Sequence, residues 1–217
     1  MATALSRPKK ITDLPVEILM PTDGRIKEFL NADFYYLANF VKEHVADPDF
    51  IYAALLDAYN DVGAHKSGSR EIRLFSARPG VDTYSGIETI PMKTVAVIDD
   101  IRAKLGRHLG IDFDTCLLNY YRDGSAAIGH HSDGESDLLP NAPIASVSFG
   151  AVRHFDIWPK LTAPRIHNRY RIDLGHGSLM IMGKNSQREY THSLPVQKKV
   201  KEPRINLTFR VTRPRED

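Results

Sequence analysis

Hydrophobic positions recur at helical steps through the first half of this chain and at strand steps through the second. In "NADFYYLANFVKEHV", Phe34, Leu37, Phe40 and Val41 fall three or four apart, which predicts a helix ended by Asp47-Pro48. "PDFIYAALLDAY" predicts a second short helix with proline at its first turn. Residues 63–90 read as irregular, being rich in Gly, Ser, Arg and Pro. "PMKTVAVIDDIRAKLGRHLG" predicts a third helix: Val95, Ile98, Ile101, Leu105 and Leu109 share a face, and Gly110 closes it. From residue 115 the period shortens. "TCLLNYY", "PIASVSFG", "RHFDIWP", "RYRIDL", "SLMIMG", "EYTHSL" and "RINLTFRV" are short, β-branched or aromatic, and bounded by Gly, Pro or Asn. A helical layer followed by seven strands predicts an α+β fold around a β-sandwich or jelly roll.

Composition narrows the class without naming it. At 217 residues, 42% hydrophobic and 26% charged, the chain is an ordinary globular protein with room for one core. The weakly patterned residues 1–30 read as an extension and 31–217 as the domain. One cysteine, Cys116, excludes an intramolecular disulfide and a cysteine-built metal cluster. No apolar run reaches membrane-spanning length, and "MATALSRPKK" lacks the apolar middle of a secretory signal, so a cytoplasmic or nuclear location is expected. Charge is uneven. Residues 151–215 hold 14 Lys and Arg against 4 Asp and Glu, a local +10 in a chain of net +2, so the rest carries −8. Such asymmetry fits a polyanionic partner or merely a solvated basic surface.

"IGHHSDGE" supplies candidate chemistry. On an extended strand, residues i and i+2 share a face, so His131 and Asp133 converge and His130 points away. A metal needs a further ligand, sought among His154, His167, His176 and His192. His176 sits between two glycines in a turn, and His154 and His167 lie among arginines and aromatics. His192, on the strand before the last basic segment, is the best choice. Two His and a carboxylate suit one face of an octahedral iron(II) ion with open positions, and equally a tetrahedral zinc ion. In "EPRINLTFRVTRP", Arg204, Asn206, Thr208 and Arg210 share one face, and Ile205, Leu207, Phe209 and Val211 the other. Alternation alone favours an edge strand with its polar face in water. The two arginines could equally anchor a dicarboxylate, aided by Asn119 and Tyr121.

Together "NYYRDG…IGHHSDGE", "PIASVSFGAVRHF", "LGHGSLMIMG" and "THSLPVQKKVKEPRINLTFR" resemble the AlkB family of Fe(II)- and 2-oxoglutarate-dependent dioxygenases, over roughly residues 30–213. The resemblance is nearest to the branch that repairs alkylated bases. It implies a double-stranded β-helix (jelly roll) core with N-terminal helices packed on it, and Fe(II), 2-oxoglutarate and O2 as cofactor and cosubstrates. It implies that His131, Asp133 and His192 hold iron and that Arg204 pairs with the distal carboxylate of 2-oxoglutarate. Asn119 and Tyr121 support that acid, and Arg210 lies between cosubstrate and substrate. Tyr84 matches an aromatic that stacks on a flipped base, and Glu135 an acid that reaches its exocyclic amine. The family's Pro-Arg appears here as Ser69-Arg70, and Gly134 stands where repair members often carry an acid. The implied partner is DNA or RNA, bound by a monomer. Polar "HKSGSR" offers no apolar wedge, which leans the substrate towards single strands. The same chemistry on a protein or small molecule, or a non-catalytic binding domain, are the competing readings.

Overall fold

In the computed structural model, the residues described are 16–19, 27–29, 34–62, 65–78, 83–84, 86–134, 136–160 and 169–213. Two facing, mainly antiparallel sheets form a jelly roll, with helices on the outer face of the larger. In chain order the strands open with β1 (Val16–Leu19), β2 (Lys27–Phe29) and β3 (Phe34–Leu37). Helices α1 (Phe40–His44) and α2 (Pro48–Val62) follow, then β4 (His65–Ser67), β5 (Arg70–Ser76), β6 (Thr83–Tyr84), β7 (Ile87–Glu88) and β8 (Ile90–Pro91). Helix α3 (Ala96–Leu109) leads into β9 (Thr115–Tyr121), β10 (Ile128–His131), β11 (Ile144–Gly150), β12 (Arg153–Pro159), β13 (Arg169–Leu174) and β14 (Ser178–Met182). The short α4 (Ser186–Glu189), β15 (Tyr190–Leu194) and β16 (Arg204–Arg210) complete the order. The larger sheet runs β2-β3-β14-β11-β16-β9-β5-β4, and the smaller β1-β13-β12-β15-β10.

Side-chain alternation sorts the larger sheet into two cores. Cys116 and Leu118 of β9, Val147 and Phe149 of β11, Leu179 and Ile181 of β14, and Ile205, Leu207 and Phe209 of β16 pack against Phe40, Leu55, Ile98, Ile101 and Leu105 of the helices. The opposite faces meet the smaller sheet, where Phe34, Tyr36, Tyr121, Met180 and Met182 pack with Phe155, Ile157, Ile172, Tyr190 and Leu194. The larger sheet is thus covered on both sides, and its central strands are apolar towards the helices and mixed towards the interior. All seven predicted strands are present, and α3 ends as expected with Gly110 at φ 68°.

Three expectations change. Phe34–Leu37 is strand rather than helix, and α1 begins only at Phe40. Its aromatic residues suit a strand, and β3 pairs with β14 from Phe34↔Met182 to Leu37↔Leu179; this pairing outweighs the three-and-four spacing. The described residues between 63 and 90 are mostly strand and not irregular: β5 pairs with β9 over six residues, and its Arg73 is buried despite its charge. β16 is no edge strand. It lies between β11 and β9 with all seven residues buried, so its polar face looks into the protein and not into water. Within residues 1–30, β1 pairs with β13 and β2 with β3, so parts of that segment extend the core sheets.

Candidate active site

The interior face of the larger sheet and the inner face of the smaller enclose a cavity of roughly 630 Å³, solvent-filled mouth included. Strand pairing sets His131 of β10 opposite His192 of β15, with ring centroids 4.3 Å apart. Asp133 follows two residues beyond the end of β10. Its carboxylate lies 3.6 Å from His131 Nε2 and 4.0 Å from His192 Nε2. One ligand atom from each of the three falls within 4.8 Å of the others, the spacing of a common metal-binding point. His131 Nδ1 is 2.9 Å from the Gly129 carbonyl, which can only accept, so Nδ1 carries the proton and Nε2 keeps its lone pair for the cavity. His130 turns to the outer face and packs edge-on against Trp158 at 4.2 Å.

Electrostatics prepares two of the three as ligands. Burial drives His192 down to about 4, overcoming the opposite pull of Asp133, and leaves a neutral imidazole. Burial alone raises the Asp133 carboxyl, but the Arg210 guanidinium beside it, by charge and by hydrogen bond, reverses this and holds it below its ordinary range, as the anion. Arg210 Nη2 donates to Asp133 Oδ1 at 3.1 Å. Cys116 takes no part: it is fully buried in the helical core, and burial pushes its thiol up.

Farther along the cavity, Arg204 is only 2% exposed, yet the groups acting on it are the Tyr121 phenol and the Arg153 guanidinium, not a carboxylate. Its Nη2 donates to Ser148 Oγ at 2.9 Å, and its Nε is buried with no hydrogen-bond partner among the described residues. Burial lowers this guanidinium to about 10. A buried cation so situated calls for an anionic ligand. Tyr121 stays protonated, because burial raises its phenol more than the nearby arginines lower it, so it can donate. Asn119 Oδ1 accepts from Arg70 Nε at 2.8 Å, which leaves the Asn119 amide N–H free to donate to an acid. Ser146, Asn206 and Thr208 tie together beside them: Asn206 Nδ2 donates to Ser146 Oγ at 2.8 Å, and Thr208 Oγ1 to Asn206 Oδ1 at 3.0 Å.

The residues the sequence pointed to therefore converge: His131, Asp133, His192, Asn119, Tyr121, Arg204 and Arg210 all line one cavity. Arg70 lines the cavity as well; from the sequence it was named only within Ser69-Arg70 and had no role, although it has the strand parity of Ile72 and Leu74 in "REIRLF". Three guanidinium groups and one carboxylate stand in the lining, so the cavity is net positive before any metal binds and suits an anionic ligand. Tyr84 is placed by its backbone alone, opposite Ile87, and its side chain lies outside the described residues, as do Glu135 and His167. His154 pairs with Asp173 at 2.6 Å, and His176 accepts from Gly150 N in the turn before β14; neither reaches the cavity. The basic C-terminal stretch changes its meaning. Arg153, Arg204 and Arg210 are buried and Arg171 is paired with Asp156, so four of its cations serve the interior or the sheet and not a surface stripe.

Residues 76–210 match the 2OG-Fe(II) oxygenase superfamily. The chain belongs to the 2OG-Fe(II) oxygenase superfamily. Membership selects iron over zinc for a two-His, one-carboxylate group, and 2-oxoglutarate and O2 as its cosubstrates. Among curated proteins, this oxygenase chain is 42% identical over 132 residues to DNA oxidative demethylase ALKBH2 of Homo sapiens, covering 59% of this chain and 51% of that protein. It is 34% identical over 140 residues to alpha-ketoglutarate-dependent dioxygenase alkB homolog 3 of Mus musculus, covering 61% and 48%. It thus spans about half the length of these relatives. The solved structure of OsALKBH1 shares the fold, with TM-score 0.57 and 20% identity over 86% of this chain and 100% of that one. Among the described residues, no helix is long and apolar enough to cross a membrane.

Proposed function

We propose that this chain is an AlkB-type oxidative demethylase of N-alkylated nucleic-acid bases. The observation that carries the reading is the pairing, in one cavity, of a His-Asp-His group with a buried guanidinium that has no carboxylate of its own. When bound, iron with 2-oxoglutarate and O2 supplies the oxidation that converts the cosubstrate to succinate and carbon dioxide and hydroxylates the N-methyl carbon, which then leaves as formaldehyde. The chain's residues do the rest. His131, Asp133 and His192 hold the metal. Arg204 grips the distal carboxylate, with the Tyr121 phenol and the Asn119 amide as further donors. Arg210 orients Asp133 and lies between cosubstrate and substrate. Tyr84 and Glu135 stack on the base and read its amine.

The nucleic-acid part of the reading draws on the names of the relatives and on surface charge. Exposed Lys184, Arg188 and Arg213 surround a second cavity that meets the first at Asp133 and Arg210, so phosphates have cations beside the metal site. A base must leave its stack to reach iron, and the β4–β5 turn exposes only polar side chains, which favours a substrate already single-stranded. We place the enzyme as a cytoplasmic or nuclear monomer, with residues 31–217 as the catalytic domain. Mass spectrometry of methylated oligonucleotides incubated with Fe(II) and 2-oxoglutarate tests this. Loss of the methyl group with matching succinate and formaldehyde supports it. Succinate formation with every methylated oligonucleotide unchanged overturns it in favour of a protein or small-molecule substrate.

A further inference from the structure

We propose that Gln187 is a positioning residue: through its side-chain amide it holds Asp133 where that residue can ligate a metal. The inference rests on the reading of Asp133 as a metal ligand. His131 and His192 are fixed by the pairing of β10 with β15, but Asp133 lies past the end of β10 and has no ladder partner. Its main-chain N–H donates instead to Gln187 Oε1 at 2.7 Å, across 54 positions of sequence. An N–H only donates, so the amide oxygen must face Asp133 and the amide nitrogen must point away. That nitrogen has its own acceptors, Ser186 Oγ at 3.1 Å and, more weakly, Met182 Sδ at 3.6 Å. The orientation of the amide is therefore fixed from both ends.

Gln187 is itself anchored. It sits in α4, five residues before His192, and Lys160 Nζ donates to its carbonyl at 2.8 Å. The amide consequently ties the loop carrying one ligand to the segment carrying another. The other hold on Asp133 comes from Arg210, which takes Oδ1. With Gln187 cut away, the loop keeps the bond from Ser132 Oγ to the Tyr190 carbonyl at 2.9 Å, but the Asp133 main chain loses its own anchor, and the carboxylate can follow Arg210 away from the two imidazoles. Outer contacts of this type usually change metal affinity 10–100-fold, about what a misdirected ligand loses.

The test uses the full metal-free chain titrated anaerobically with Fe(II) by calorimetry, with the melting temperature measured on the same samples. Gln187→Leu keeps the shape and removes the acceptor; Gln187→Glu keeps an acceptor. The expected result is roughly 10–100-fold weaker Fe(II) binding in Gln187→Leu, a metal-free melting temperature lower by about a few degrees because the Asp133 N–H loses its acceptor, and recovery of both towards wild type in Gln187→Glu. Wild-type affinity in Gln187→Leu overturns the proposal, as does an equal loss in both variants, which would assign the effect to packing. Should Gln187→Leu fail to fold, Gln187→Met supplies the same comparison. Asp133→Ala separates the two levels: if it binds Fe(II) like wild type, the metal site itself is misassigned, whatever Gln187 does.

Discussion

Removing Arg204 should weaken 2-oxoglutarate far more than it weakens iron. Arg204 is 2% exposed, and its guanidinium has Ser148 Oγ as a neutral acceptor and an Nε with no hydrogen-bond partner among the described residues. A bound carboxylate supplies the missing anion at both ends of the planar fork. Truncation to alanine leaves that carboxylate buried without a cation, a loss of about 3–5 kcal/mol, or roughly two to four decades in Kd. Arg204→Lys keeps the charge but loses the two-point grip; one charged hydrogen bond, about 1.5–3 kcal/mol, sets its loss at one to two decades. Anaerobic titration of the iron-loaded protein, followed by metal-to-ligand charge-transfer absorbance, measures both. Stability of the ligand-free protein gives an independent check. Burial lowers this guanidinium to about 10, so at every pH below that value the folded state holds the proton less tightly than the unfolded chain, and the charge opposes folding. Arg204→Met without ligand should therefore melt no lower than wild type, and 2-oxoglutarate should stabilise the wild type only. Unchanged 2-oxoglutarate affinity in Arg204→Ala refutes the assignment.

Three further outcomes follow from the geometry. His131→Ala and Asp133→Ala should each lose Fe(II) affinity by more than the roughly hundredfold typical of outer contacts, while His130→Ala, whose ring packs on Trp158, retains it in calorimetry. Tyr84→Ala should lose about 1–3 kcal/mol of oligonucleotide binding and Tyr84→Phe little, with substrate-free 2-oxoglutarate turnover alike in both; equal binding by Tyr84→Ala and wild type removes this ring from the site. Gly150→Ala should cost about 2–5 kcal/mol in urea unfolding, since φ is +82° and the new Cβ would lie 2.5 Å from the Pro203 carbonyl and 2.7 Å from the Tyr52 hydroxyl; an unchanged midpoint contradicts this.

Much of the site was legible because strands write their faces into the sequence. The i, i+2 parity read for His131 and Asp133 named two residues that meet, although Asp133 lies past the end of β10; within β16 the same parity sorts Arg204, Asn206, Thr208 and Arg210 from Ile205, Leu207 and Phe209. What parity leaves undecided is the surroundings of a polar face: β16 read as well for an edge strand, and only its place between β11 and β9 turns that face inward. β3 was misread because four apolar residues at helical spacing served two different cores, Phe34 between the sheets and Leu37, Phe40 and Val41 under the helices. Gln187 was not readable at all. A side chain that accepts from a main-chain N–H 54 residues away leaves no local pattern, and glutamine in a short helical turn is unremarkable. Net charge misled for a related reason, since counting cations cannot tell buried Arg153 and Arg204 from exposed Lys184 and Arg188.

β16 also explains how the site keeps its dimensions. Arg204 and Arg210 stand at its two ends, six residues or about 20 Å of strand apart, and both side chains reach inward over the same cavity. Arg210 meets the metal end through Asp133, and Arg204 marks the far end beside Tyr121. Their separation along one strand is the same in any register; what the register decides is which residues of β9 and β11 stand beside each of them. A slip of one residue is forbidden by the opposite face, because it would turn Ile205, Leu207 and Phe209 into a polar cavity and drive Arg204 and Arg210 into the helical core. A slip of two keeps the faces but breaks the opposition of Asn206 to Asn119 and Arg204 to Tyr121, which places the donors for one carboxylate side by side. The apolar contacts with the helices thus act on the chemistry at a distance: they hold the register, and the register decides which donors stand beside Arg204 and Arg210.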